Sequence, residues 1–149
     1  MTEEYSGSCQ CGAIGYTFKG PLPAAYACHC GECKKQSASA FSISLPMTID
    51  RLEIEGNPAV FESKAYSGKP KYNYFCPDCG TRLWHSGTFP PDQITLKVGT
   101  LDKGTDISPI GHLWVSKKQA GILLDPDSEQ HDTQPSDLAV WRNNLGKDS

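Results

Sequence analysis

Seven cysteines occur in this chain, and all fall in three tight clusters: Cys9-Gln-Cys11-Gly12, Cys28-His-Cys30-Gly-Glu-Cys33 and Cys76-Pro-Asp-Cys79-Gly80. Cysteines one or two residues apart can turn their sulfurs toward a single ion, and two such pairs complete a tetrahedral zinc site. Four thiolates close one zinc. The remaining three would hold a second and leave one position free. A closed site supports a fold, whereas an open one can do chemistry. The odd number argues against a disulfide framework, and in a reducing compartment clustered cysteines are metal ligands more often than bridges.

The run Phe75-Cys-Pro-Asp-Cys-Gly80 reads as a zinc-ribbon knuckle, in which tight turns aim backbone amides at the sulfurs and a glycine after the second cysteine relieves crowding. Cys9-Gln-Cys11-Gly12 is shorter but ends in the same Cys-Gly step. Cys9, Cys11, Cys76 and Cys79 are therefore expected to form a closed structural zinc that joins the N-terminal strand to the centre of the chain. Cys28, Cys30 and Cys33 remain as a local trio. Its alternatives are a second structural site closed by His29, His85, His112 or His131, and an open site that takes an exogenous fourth ligand. His29 is poorly placed as the closer, because a ligand between two coordinating neighbours must point the same way as they do. His85 and His112 read as packed or surface histidines.

Charge indicates what an open trio would do. Three thiolates against Zn²⁺ leave a net negative centre, a weaker activator of water than a metal held by three histidines. A thiol bound there would be kept as an electron-rich thiolate. Such a site suits addition of a thiol to an electrophilic carbon, or the reverse carbon–sulfur cleavage. Lys34-Lys35, directly after the trio, reads either as a solvated pair or as an offset to the negative charge of site and substrate.

The elements that must position these residues are short strands. Ala13 to Phe18, Ala40 to Leu45, Glu53 to Ile54, Val60 to Tyr66, Tyr72 to Phe75, Arg82 to His85, Ile94 to Val98 and Ile110 to Val115 all read as strands. Between them lie Gly20-Pro21, Glu55-Gly-Asn-Pro58, Ser67-Gly-Lys-Pro70 and Phe89-Pro-Pro-Asp92, all of them turn chemistry. The expected fold is mostly β, with coiled antiparallel sheets around zinc-binding knuckles in a single domain. Helix is expected only as one turn in Gly31 to Ser39 and as a short C-terminal segment, Ser136 to Asn143, capped by Ser136. Asp125 to Pro135 is polar, with two prolines, and reads as a loop or mobile tail.

Composition narrows the functional classes. The 149 residues are 38% hydrophobic and 21% charged, as in a soluble globular domain rather than a disordered chain. The net charge is −3 and the basic residues are scattered, which argues against a nucleic-acid-binding ribbon, a role that needs a basic stripe. No apolar run has the length of a membrane helix. Met1-Thr-Glu-Glu-Tyr5 also lacks a signal-peptide pattern, so the cytoplasm is the expected location. No phosphate-binding glycine loop or serine-nucleophile elbow is found.

Taken together, the motifs resemble the glutathione-dependent formaldehyde-activating enzyme family, which also includes centromere protein V. The matching pieces are Gly7-Ser-Cys-Gln-Cys-Gly12, Cys28-His-Cys-Gly-Glu-Cys33, Ser39-Ala-Phe41, Phe75-Cys-Pro-Asp-Cys-Gly-Thr81, and Gly99-Thr-Leu-Asp102 with Pro109 and His112. They stand in the family's order over about residues 7 to 115. The resemblance implies a structural zinc on Cys9, Cys11, Cys76 and Cys79 and a second zinc on Cys28, Cys30 and Cys33. It further implies carbon–sulfur lyase chemistry, the reversible joining of glutathione and formaldehyde as S-hydroxymethylglutathione. A thiol-carrying or protein-binding zinc module without catalysis is the alternative. Three departures bear on substrate: Ser37-Ala-Ser39 where the family often has Thr-Gly-Ser, Asn73 where an arginine is frequent, and Gly121 where a tryptophan is common.

Overall fold

Strand β2 (Gly15–Lys19) shows why this chain folds into sheets. Tyr16 and Phe18 alternate with Thr17 and Lys19, and only the two aromatic residues are buried. β2 pairs antiparallel with β1 (Glu4–Ser8) and with β5 (Glu53–Glu55) in a three-stranded sheet. The other strands are β3 (Tyr26–Cys28), β4 (Ser42–Thr48), β6 (Ala59–Lys64), β7 (Pro70–Phe75), β8 (Arg82–Gly87), β9 (Gln93–Lys97), β10 (Gly111–Leu113) and β11 (Glu129–Gln130). They form an eight-stranded sheet in the order β11-β10-β3-β4-β9-β8-β7-β6. Two short helices, α1 (Gly31–Ser37) and α2 (Leu138–Asn144), complete the fold. This computed structural model describes residues 3–87 and 92–147, so the expected turn at Phe89 to Pro91 lies outside the described residues.

One core is shared by the two sheets. Ile14, Tyr16 and Phe18 meet Leu45, Met47, Leu83, Trp84, Ile94 and Leu96, all of them buried. Each fully buried aliphatic side chain of this kind contributes roughly 1.5–3 kcal/mol. The opposite face of the large sheet is polar yet covered. Register pairs Cys28 with Ser42, Ser44 with Lys97, Thr95 with His85, and His85 with Asn73. Residues directly opposite one another share a face, so these side chains form one layer. From α1, Gln36 Nε2 donates to Asn73 Oδ1 at 3.3 Å. From α2, Arg142 Nη1 donates to Thr95 Oγ1 at 3.3 Å, and Trp141 packs edge-on against Tyr26.

The mostly β expectation holds, with corrections in detail. β10 runs parallel to β3 and β11, so the large sheet is not wholly antiparallel. Parallel partners lie far apart in sequence, and no local pattern announces them. β1, β3 and β11 carry too little alternation to be read from sequence and exist through their pairing. The expected strand at Ile110 to Val115 is confined to Gly111–Leu113. The stretch Asp125 to Pro135 is not a free tail: it contains β11, and Trp114 N and Val115 N donate to Thr133 O and His131 O at 2.7 and 3.0 Å. α2 is capped by Asp137, whose carboxylate accepts from Val140 N at 3.1 Å, and not by Ser136.

Candidate metal centres

The first cluster is built from two matching turns. Gly12 N donates to Cys9 O and Gly80 N to Cys76 O, at 3.1 and 2.8 Å. Cys9 N then bonds Ile14 O and Cys76 N bonds Thr81 O, at 3.0 and 2.9 Å. Each turn needs a residue at positive φ after its second cysteine, and Gly12 (φ 81°) and Gly80 (φ 80°) supply it. Thr81 stitches the turns together: its hydroxyl accepts from Gln10 N at 3.0 Å and lies 3.2 Å from Cys79 Sγ. The Thr81 hydroxyl and amide, with the Cys11 amide, pull the Cys79 thiol down to about 5.

Cys9, Cys11, Cys76 and Cys79 bring their four sulfurs within 4.8 Å of one another. Cys11 Sγ lies 3.7 Å from both Cys9 Sγ and Cys76 Sγ. A tetrahedral zinc with Zn–S bonds of 2.3 Å requires an S–S edge of about 3.8 Å. The donor set and its spacing fit that ion.

The second cluster sits where a strand hands over to a helix. Cys28 ends β3, Cys30 is the N-cap of α1 with its sulfur 3.4 Å from Cys33 N, and Cys33 lies buried in the first turn. The three sulfurs also lie within 4.8 Å of one another. Hydrogen bonds from Cys28 and Cys33 push the Cys30 thiol strongly down, while the Cys30 sulfur and burial push Cys28 strongly up. Three such sulfurs cannot all be ionised together unless a cation offsets them.

No fourth His, Cys, Asp or Glu joins the trio among the described residues. Each histidine considered as a closer is placed elsewhere. His29 is fully buried and its Nε2 lies 3.0 Å from His112 Nδ1. His131 pairs with Glu129 at 3.0 Å. His85 Nδ1 is buried without a partner, and burial with nearby Lys97, Lys71, Arg142 and Arg82 holds its pKa well below the usual histidine range. Around the trio, Leu113, Trp114, Leu138 and Trp141 form a small apolar cluster separate from the main core.

Beside the trio lies a cavity of about 780 Å³, walled by the end of α1 and the following loop, by Gly80–Arg82 and by Lys97–Asp102. The trio's sulfurs do not line it; Ser42 and Ser37 do, and these touch the trio by pairing with Cys28 and by a 2.8 Å bond from Ser37 Oγ to Cys33 O. Lys97 and Arg82 line this cavity and lie within electrostatic reach of Cys33. Burial lowers Lys97 to about 8, and the negative charge of Cys33 works against that shift. Lys34 instead donates to Lys117 O at 2.8 Å, which anchors α1 to the segment after β10.

Residues 4–117 match the family described as glutathione-dependent formaldehyde-activating enzyme. The chain belongs to this family. A Halomonas elongata protein named after the same family is 28% identical over 151 residues, covering 94% of this chain and 95% of that one. A crystal structure of a Rhodobacter sphaeroides protein, a Northeast Structural Genomics target, superposes with a TM-score of 0.50 at 20% identity, over 66% of this chain and 88% of that chain. That likeness speaks to the fold. No helix among the described residues is long and apolar enough to cross a membrane.

The departures from the family's motifs have structural readings. Asn73 is fully buried and donates to Phe61 O and Ser63 Oγ, both at 2.9 Å, tying β7 to β6 where a charge would have to be offset. Ala38, within the Ser37-Ala-Ser39 departure, holds a left-handed conformation (φ 50°) at the C-terminus of α1. Gly121 is exposed with open space around it. Sequence reading missed Lys97 and Arg82. In β9, Lys97 occupies an alternating position that ordinarily faces water, yet it is buried.

Proposed function

We propose that this chain is a zinc-dependent carbon–sulfur lyase that reversibly joins a thiol, glutathione or a close relative, to formaldehyde or another small aldehyde. Cys9, Cys11, Cys76 and Cys79 hold a closed structural zinc; Cys28, Cys30 and Cys33 hold a second zinc with one position free. The observation that carries the reading is the trio itself: three sulfurs within 4.8 Å and no fourth donor from the described residues.

A zinc held by three thiolates would supply a centre at which a further sulfur stays ionised at neutral pH. The residues around it do the rest. Leu113, Trp114, Leu138 and Trp141 form the apolar surroundings of the three sulfurs. A cavity of about 780 Å³ is large for formaldehyde but of a size that encloses a tripeptide thiol. In the addition, the sulfur lone pair forms the C–S bond and the carbonyl π pair moves onto oxygen. That oxygen takes up the proton the thiol released on ionising, giving the hemithioacetal, and cleavage reverses each movement. Lys97 and Arg82 present the positive charge facing this region.

The test is a crystal of zinc-loaded protein soaked in glutathione. Glutathione sulfur bonded to the metal at Cys28, Cys30 and Cys33 is expected. A water or a protein side chain still in that position at saturating glutathione would refute the reading.

A further inference from the structure

Lys97 is 8% exposed, and its Nζ donates to Ser44 Oγ at 3.3 Å. Among the described residues it meets no carboxylate. Asp102, which shares the cavity wall, already accepts from Ser6 Oγ at 2.7 Å. A buried ammonium is costly unless another charge offsets it. The register of the large sheet supplies that charge. Lys97 pairs with Ser44, and two residues earlier Ser42 pairs with Cys28 on the same face. Of the charged groups that act on Lys97, only the cysteine sulfurs of the trio are negative; Lys71 and Arg82 are positive.

Counting charges gives this arrangement a purpose. A divalent metal with three thiolates carries one net negative charge, and a fourth thiolate makes it two. Lys97, Arg82 and Lys71 bring an excess of positive charge to the same region, so the surroundings are better offset when the fourth ligand is an anion. A neutral water or imidazole leaves that positive charge less compensated. Resting on the reading of the trio as an open, thiol-taking centre, we propose that Lys97 is a specificity-determining cation of that site, making it prefer a thiolate over a neutral ligand.

The test uses cobalt(II) as the probe metal, because sulfur-to-cobalt absorption reports thiol binding without turnover. Glutathione and 2-mercaptoethanol are titrated into cobalt-loaded wild type, Lys97→Met and Lys97→Arg. Lys97→Met should weaken both thiols by about tenfold or more, while Lys97→Arg, which keeps the charge, should stay within about threefold of wild type. Should Lys97→Met fail to fold, Ser44→Asp leaves the ammonium in place beside a new carboxylate and should weaken both thiols likewise. Unchanged affinity in the neutralised variants overturns the inference. Loss of glutathione binding alone also overturns it, because the ammonium would then be reading glutathione's carboxylates. A wild type with no thiol-dependent absorption refutes the open-centre reading itself, and the inference with it.

Discussion

The proposed four-cysteine zinc joins parts of the chain that are far apart, since Cys11 and Cys76 stand 65 positions from one another. An unfolded chain can assemble that site only by closing the intervening loop, so the metal favours the fold by at least the closure entropy. For a cross-link of this length the chain-entropy relation gives about 4 kcal/mol at 25 °C. That is close to the whole stability of a marginal domain, about 5 kcal/mol. The cleanest perturbation is the double variant Cys11→Ser/Cys79→Ser. Cys11 is exposed and Cys79 half-buried, whereas Cys9 and Cys76 are core residues that the variant leaves in place. Urea unfolding in excess zinc should show a loss of about 4 kcal/mol against wild type, and a melting temperature lower by about 8–16 °C. Cys30→Ser is the comparator. The trio runs only from Cys28 to Cys33, and so short a loop is worth about 2 kcal/mol. A double variant within about 1 kcal/mol of wild type would refute the reasoning. So would a Cys30→Ser loss equal to that of the double variant.

Two further outcomes are expected. Ala38→Gly should stabilise the protein by about 0.5–1 kcal/mol in urea, because glycine adopts the left-handed cap of α1 without the steric cost alanine bears there; a destabilised variant would contradict that account. His85→Phe tests the neutral, part-buried ring: desolvation and four neighbouring cations hold its folded pKa well below that of the unfolded chain. Between about pH 6.5 and 5 the unfolded chain takes up a proton that the fold refuses, so stability falls as pH falls. The variant's unfolding free energy should lose nearly one proton's worth of that slope, and equal slopes would show that His85 titrates normally.

What sequence could and could not show follows from how far each constraint reaches. Metal ligation demands sulfurs close together, so much of each cluster is packed into a few residues and stands out. The pairing of Cys9 and Cys11 with Cys76 and Cys79 was legible because both turns repeat the Cys-Gly step, which the structure explains by the positive φ of Gly12 and Gly80. Lys97 was illegible for the opposite reason. Its strand Gln-Ile-Thr-Leu-Lys alternates as a one-sided strand should, and nothing local says that α1 and α2 cover the second face. The same covering hid the role of Asn73, whose partners Phe61, Ser63 and Gln36 come from two other elements. The parallel pairing of β10 with β3 depends on the intervening chain and left no mark on either strand.

The two clusters are joined through the cavity. Gly80 and Thr81 complete the knuckle of the first cluster, and the next residue, Arg82, opens β8 as a cationic part of the cavity wall. The opposite wall is the loop after α1, the helix that carries Cys33. Under the proposed function, a closed site on one side would therefore fix the position of a charge used on the other. Thr81 is the hinge of that connection, since it bonds to Gln10 N and contacts Cys79 Sγ while lining the cavity. On the proposed function, four protein sulfurs would leave the first centre with nothing to exchange, so it could hold Arg82 steady, and three would leave the second a place for the substrate's own sulfur.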